Sequence, residues 1–419
     1  VIKDRVIVCI GNAWDDAPTS KHQVMRLLAQ HNRIVWVNFR GTRRPTASRA
    51  DLRAATVALR RIIQGPRRVA PTVLEITPLI VPGAKSRVLR ALNRHLLITQ
   101  IRRAVRDTAG ADPANVQVWT FTPDVPYLRG ALDEECFVYY CTDDFAGFQG
   151  VDEAAIRRDE AETLARADLV VVTSQELCEA RLAQREDVAL VRHGVDHDHF
   201  ARSWRDPGPA PADMAASNGP VFGFFGLIHH WIDIAFLAEV ARLRPAYTFA
   251  LIGEAKVDVT PLARLANVRL LGRRPYAELP AYCTTFSAGL MPFTRTELTR
   301  NINPIKLQEY LAAGLPVIST PLPEAARFGP PVMIGDTPLA FAEACDSVAR
   351  RRTPAEAAAI SDLVKDCSWS AVVEKLSRLV MARVGRSRSA ADVIARAADV
   401  DLPSAEAEPL PARAAEARR

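Results

Sequence analysis

Short apolar runs alternate with segments of helical periodicity through most of the chain. Val6 to Ile10, Ile34 to Phe39, Val116 to Trp119, Phe137 to Cys141, Leu169 to Thr173 and Val188 to Val191 are runs of strand length with helical stretches between them. Such runs mark strands covered on both faces, and strands separated by helices pair in parallel. Residues 202–219 break the pattern with Pro, Ala and Gly, the composition of an interdomain linker. A second series follows, with strands expected at Val221 to Phe225, Thr248 to Ile252, Val268 to Leu271, Ala288 to Met291 and Val317 to Ser319. The expected fold class is α/β, with two Rossmann-like, doubly wound domains over residues 1–201 and 220–366 facing one cleft. An amphipathic helix anchored by Trp369 is expected over 367–384. Residues 385–419, rich in Ala, Arg, Glu and Pro without an apolar stripe, are expected to be a disordered tail.

One helix start stands out. In NINPIKLQEYLAAGLPVIST, Asn301 to Thr320, Asn303 suits the N-cap and Pro304 the first helical position, while Gly314 suits the left-handed residue past the helix end. Lys306 then falls in the first turn, where the positive end of the macrodipole disfavours a cation unless an anion lies nearby. Glu309, three residues on, shares its face. The competing reading of that spacing is an ordinary surface Lys/Glu pair.

A length of 419 residues favours two domains, and 48% apolar residues supply their cores. No run of about 18 uncharged apolar residues occurs, and VIKDRVIVCI is too short and too charged for a signal peptide, so a cytoplasmic protein is expected. The seven cysteines are scattered without paired zinc spacing and read as buried thiols. Residues 40–106 hold 16 Lys or Arg against Asp51 and Glu75, a net of +14, which leaves −8 for the remainder of a chain whose net charge is +6. Within that segment Arg87, Arg90 and Arg94 follow helical spacing opposite Leu89, Leu92 and Leu96. Such a helix suits an anionic membrane surface or an acidic partner, with a packed helix bearing a solvated Arg face as the alternative. Nucleic acid ranks last, since no aromatics interleave the basic residues.

The loops after the strands hold the candidate chemistry. Gly11, Asn12 and Trp14 follow the first strand, but no GxGxxG fingerprint occurs, which argues against nicotinamide chemistry. Asp143 and Asp144 follow the strand FVYYC, where adjacent carboxylates can supply a general base, one raised in pKa by burial and by its neighbour. Their alternative role is a helix cap beside a solvated carboxylate. Asp196 and Asp198 spell DxD, a spacing too common to mark a metal site.

Six motifs occur in order: the glycine loop at Gly11, ADLVVVTSQEL with HGVDHDHF, FGFFGLI, LIGE, NVRLLGRRPYAELPAYC and NPIKLQEYLAAGLPVIST. Through them the chain, from about residue 5 to about residue 382, resembles the GT-B superfamily of sugar-nucleotide-dependent glycosyltransferases. The resemblance is to family 4-like, group 1 donor domains. It implies an acceptor held by the first domain, a donor nucleotide held by the second, a terminal helix crossing back, and no cofactor or divalent metal beyond the nucleoside-diphosphate sugar. Glu309 would bind the ribose hydroxyls and Lys306 the diphosphate, with Gly226, His230, Asn303, Asn301 and Arg273 around the donor and Gly11, Asn12 and Trp14 on the acceptor side.

Two positions depart from the retaining family 4 pattern. Asn301 stands where those enzymes have a second Glu, and His229-His230 where they have Arg and Lys. The Asp pair is closer to the xanthan-pathway glucuronosyltransferase type, in which a first-domain carboxylate deprotonates the acceptor; here Asp144, or Asp143 in its place, would take the proton and the product would be inverted. The expected function is transfer of a sugar to a hydroxyl of a glycan or lipid-linked acceptor in cell-surface polysaccharide or glycoconjugate biosynthesis, at the inner face of the plasma membrane. A nucleotide-sugar epimerase and a noncatalytic sugar-nucleotide-binding scaffold are the alternatives.

Overall fold

The computed structural model describes residues 1–16, 18–39, 49–81, 86–109, 115–214, 219–350 and 352–398; the parts of the basic segment, linker and tail expectations that fall elsewhere lie outside the described residues. The strands, in chain order, are β1 Val6–Gly11, β2 Arg33–Asn38, β3 Arg67–Ala70, β4 Val73–Ile76, β5 Val116–Thr120, β6 Cys136–Cys141, β7 Leu169–Val172 and β8 Val188–Leu190, then β9 Val221–Phe225, β10 Thr248–Ile252, β11 Val268–Gly272, β12 Ala288–Met291, β13 Val317–Ser319 and β14 Val332–Ile334. They form an eight-stranded sheet, ordered β3-β4-β2-β1-β5-β6-β7-β8, and a six-stranded sheet, ordered β11-β10-β9-β12-β13-β14. Every pairing is parallel except β3 with β4. Each order reverses beside its first strand, at β1 and at β9, and in such sheets ligands sit beyond the strands' carboxyl ends at the reversal.

Three strands went unseen in the hydrophobic pattern. β3 reads RRVA and has no apolar run, β14 is a three-residue edge, and β4 is interrupted by Glu75. Glu75 stays 3% exposed because it accepts from the Trp14 amide at 3.0 Å and from Arg67 at 2.7 Å. A buried carboxylate is tolerated when paired in this way.

Two boundaries move. The helix His197–Arg205 runs into the stretch read as linker, and Val195 and Phe200 join the core of the second sheet. The first body therefore gives way before residue 201. The terminal helix runs from Trp369 to Ala398, past residue 384, into the stretch expected to be a disordered tail. Ala and Arg are strong helix formers, so the helix outlasts its apolar stripe. On that stripe Trp369, Val372, Val373, Leu376, Val380 and Val384 pack with Ile7, Trp36 and Trp119 of the first domain. The helix follows the second domain in sequence and is buried against the first. Six cysteines are buried, Cys367 is half-buried, and all seven are free thiols.

Candidate active site

The helix of the Lys306 motif spans Ile305–Ala312, one residue later than expected. Pro304 is the N-cap, with extended φ −75° and ψ 114°, and makes no side-chain cap bond. Asn303, restricted to extended backbone by the proline after it, spends its side chain elsewhere. Its Nδ2 donates to the Thr173 carbonyl of the first domain at 2.7 Å. Gly314 ends the helix at φ 66°, with its N–H on the Leu311 carbonyl at 2.8 Å and the Leu315 N–H on Tyr310 at 2.9 Å.

The two domains meet along this motif. The Ser174 hydroxyl donates to the Asn301 carbonyl at 2.5 Å, and Gln308 Nε2 to the His193 carbonyl at 2.8 Å. Glu324 of the second domain, 2% exposed, accepts from the Gln175 amide and from Arg192, both at 2.9 Å. A surface Lys/Glu pair is thus excluded for Lys306 and Glu309. Glu309 is 9% exposed, and burial pushes its carboxyl up to about 7 against the opposing pull of Lys306 and the Tyr276 hydroxyl. Burial lowers the Lys306 ammonium from its ordinary value, and Glu309 partly restores it. The two make no ion pair within 4 Å, and among the described residues Lys306 has no hydrogen-bond partner. Its Nζ lies 5.8 Å from the Phe224 ring centroid. Gly226, at φ 128° beyond β9, leaves the space that Lys306 occupies, since a Cβ there would overlap Lys306 Cε.

Around this clamp, His230 is half-buried, burial lowers its imidazole, and its Nε2 is buried without a partner. Its Nδ1 lies 2.5 Å from His229 Nδ1, and His229 stacks on Trp231 at 4.4 Å. Arg273 is exposed beyond β11 and pairs with no acid among the described residues; Arg274 beside it pairs with Asp213 at 2.9 Å. The structure does not bring Arg273 into the clamp. Asp196 caps its helix, accepting from the His199 amide at 3.2 Å, and Asp198 is exposed against Arg205 at 3.1 Å, so the DxD letters carry capping and surface pairing.

The Asp pair divides. Both lie past the end of β6, Asp143 in a bend, and they have separate partners. Asp144, 2% exposed, faces Arg181 at 3.5 Å and Asn301 Nδ2 at 3.5 Å, and its Oδ1 accepts no hydrogen bond. Arg181 is itself held by Glu160 at 2.8 and 3.0 Å, and Tyr139 donates to the same carboxylate at 2.7 Å. Asp143 is half-buried, with Oδ2 accepting from the Thr142 hydroxyl at 2.9 Å. Its carboxyl is raised chiefly by burial, opposed by the Thr142 bond and by Lys21, with Asp144 the smallest cause. The mutual repulsion expected from adjacency is therefore minor.

On the acceptor-side loop, the Asn12 carbonyl accepts from Trp36 Nε1 at 2.7 Å and the Trp14 ring meets Trp36 edge-on at 4.9 Å. Lys21, in the helix Ser20–Leu28, lies over Gly11 beside them and carried no signal in the sequence beyond its place after the first strand. A cavity of about 890 Å³ opens at the domain seam, lined by Asp144, Arg157, Arg181, Arg295, Arg300 and Asn301 among others. None of Lys306, Glu309 or Gly226 lines it, so it flanks the clamp and does not contain it.

Comparison with known proteins follows this geometry. Residues 219–351 match the family model for Glycosyl transferases group 1, the stretch that carries Gly226, Lys306 and Glu309. The second domain is a group 1 glycosyltransferase domain. Over 260 residues, 57% of this chain, the sequence is 28% identical to TuaH of Bacillus subtilis strain 168, a protein described as a teichuronic acid biosynthesis glycosyltransferase. The match spans 65% of that relative. Among solved structures, sucrose-phosphate synthase of Thermosynechococcus elongatus superposes with TM-score 0.63 at 15% identity, covering 92% of this chain and all 100% of that one. A trehalose-6-phosphate structure from E. coli bound with UDP-2-fluoro glucose gives TM-score 0.63 at 11% identity over 90% and 98% of the two chains. The glycosyltransferase domain and the one before it thus form a GT-B fold, as the motif order implied.

Proposed function

We propose that the chain is a glycosyltransferase that moves a sugar from a nucleoside diphosphate to a hydroxyl of a glycan or lipid-linked acceptor, in polysaccharide or glycoconjugate biosynthesis. The observation that carries this reading is Lys306, a cation without an ion pair among the described residues, in a helix's first turn and laid across Gly226 at the domain seam with buried Glu309 on the same face. The acceptor oxygen attacks C1 of the sugar as the bond from C1 to the diphosphate breaks. The acceptor proton passes to Asp143, and the charge left on the diphosphate is taken up by Lys306 and the amides of the first turn. Because those groups supply the neutralisation, turnover is expected to persist in EDTA. Departure from the retaining pattern at Asn301 and a first-domain base favour inversion. The likeness to TuaH supports polysaccharide biosynthesis as the setting.

Glu309 gives this reading a pH signature. Ribose hydroxyls donate to the carboxylate, so the donor prefers the ionised form and its binding expels the proton that the buried group holds below about 7. Nucleotide affinity is expected to rise about tenfold between about pH 6 and pH 8 in the wild type beyond any rise in Glu309→Gln. The terminal phosphate titrates equally for both proteins, so calorimetry on the pair isolates Glu309. A matching pH profile in the variant contradicts the ribose role. The free protein shows the opposite sign: a carboxyl raised on folding contributes stability below the unfolded carboxylate range and loses it as pH climbs through about 7.

The proposed place of action is the cytoplasmic face of a membrane. Among the described residues no helix is long and apolar enough to cross one. The start of the helix Arg87–Ala109 leaves Val88 78%, Leu89 37% and Leu92 44% exposed beside Arg87 and Arg90, and Ile63 of the preceding helix is 77% exposed. A packed helix with a solvated Arg face does not describe this end. Arg94 departs from the expected trio, since its guanidinium lies over the Tyr127 ring at 4.9 Å. Flotation with phosphatidylglycerol vesicles is expected and should be lost when Arg87 and Arg90 become Ser, since each basic residue near an anionic surface contributes about 1 kcal/mol. Binding independent of lipid charge, or unaffected by the double change, contradicts the membrane assignment.

A further inference from the structure

The clamp of the second domain has a counterpart in the first. β1 ends on Gly11 as β9 is followed by Gly226, and in each place a lysine from the second position of a helix lays its stem across the glycine. A Cβ on Gly11 would lie 3.1 Å from Lys21 Cδ. Neither helix carries an acid in its first turn, so both lysines sit against an uncompensated macrodipole. Among the described residues Lys21, like Lys306, makes no hydrogen bond and no ion pair within 4 Å. Each of the carboxylates that face it gives one oxygen to another group, Asp16 Oδ2 accepting from Asn12 Nδ2 at 2.7 Å and Asp143 Oδ2 from Thr142 at 2.9 Å. Lys306 is absorbed by the donor; Lys21 keeps its three donors unspent among the described residues.

We propose that Lys21 anchors a second anion subsite, on the acceptor side, that takes a phosphate group carried by the acceptor. A phosphate offers several strong acceptor oxygens to an ammonium and removes the conflict with the helix start. Asn12 Oδ1, buried beside Gly11 without a donor among the described residues, is the complementary group for a sugar hydroxyl. Asp143, facing Lys21, is then placed to take the proton of the reacting hydroxyl of the same molecule. The subsite thus rests on the glycosyltransferase reading and narrows its acceptor to a phosphorylated sugar, free or lipid-linked.

The test is titration of inorganic phosphate into the full chain, followed by ³¹P NMR, for wild type, Lys21→Met, Lys21→Arg and Lys306→Ala. Two saturable sites are expected in the wild type. Lys21→Met should weaken one at least tenfold, Lys306→Ala the other, and Lys21→Arg neither, with the melting temperature of Lys21→Met checking that it folds. If Lys21→Met titrates like the wild type while Lys306→Ala loses a site, the subsite is refuted and the donor reading stands. If only Lys21→Met loses a site, the subsite stands and the donor reading fails. Competition by glucose 1-phosphate against farnesyl phosphate identifies a free or a lipid-borne source, and displacement by neither contradicts an acceptor phosphate.

Discussion

Asp143→Asn is expected to lower sugar transfer by about 10²- to 10⁴-fold while leaving nucleotide binding intact, the usual loss when a positioned general base is removed. Of the two adjacent carboxylates it is the more exposed, while Asp144 lines the seam cavity from a buried position. Asp143 is half-buried and faces the Lys21 charge, the Thr142 hydroxyl fixes Oδ2, and Oδ1 has no partner among the described residues. Burial raises its proton affinity, which strengthens a base, and the Thr142 bond and Lys21 oppose that rise. Asp144 is 2% exposed and balances Arg181, so its Asn variant should cost stability more than turnover, with transfer reduced less than tenfold. The pair of variants separates the roles by kcat at saturating donor. A large loss in Asp144→Asn with Asp143→Asn near wild type reverses the assignment, and unchanged turnover in both removes a base from this strand end.

For Lys306→Ala, nucleoside diphosphate affinity should fall about 10- to 150-fold, from the about 1.5–3 kcal/mol of a charge-assisted hydrogen bond in a partly closed cleft. The same change should not weaken the fold. Without a diphosphate, Lys306 is a desolvated cation at the positive end of a helix, attracted by Glu309 and the Phe224 ring face, and removing it relieves that cost. Melting unchanged or raised, together with lost binding by calorimetry, is the expected combination. Equal affinity in the variant would place the diphosphate elsewhere.

The two-domain plan was legible because its strands are continuous apolar runs, and the Lys306 helix start because proline and glycine bracket it. The misses have local causes. β4 was hidden by Glu75, whose burial depends on Trp14 and Arg67, partners that no window of sequence joins to it. Asn303 reads as an N-cap by type, yet its amide serves the domain seam through Thr173. Asp143 and Asp144 look like a coupled pair, and only their separate partners, Thr142 for one and Arg181 with Asn301 for the other, set them apart. Lys21 had no motif at all: an isolated lysine gains meaning when its neighbours turn out to be engaged with one another. Contacts across the seam, such as Glu324 with Arg192 and Gln175, join residues more than a hundred positions apart and belong to the packing of the two domains.

Transfer itself is the most direct test. UDP-, GDP-, dTDP- and CDP-sugars are each incubated with the full chain, with and without a bacterial membrane extract as the acceptor source, while nucleoside diphosphate release and the mass of the acceptor are followed. The account predicts release with one donor that depends on acceptor, an acceptor heavier by one sugar, and loss of both in Asp143→Asn. Conversion of the donor's sugar without acceptor, as an epimerase performs, or donor binding with no release under any condition, as a scaffold shows, would contradict it.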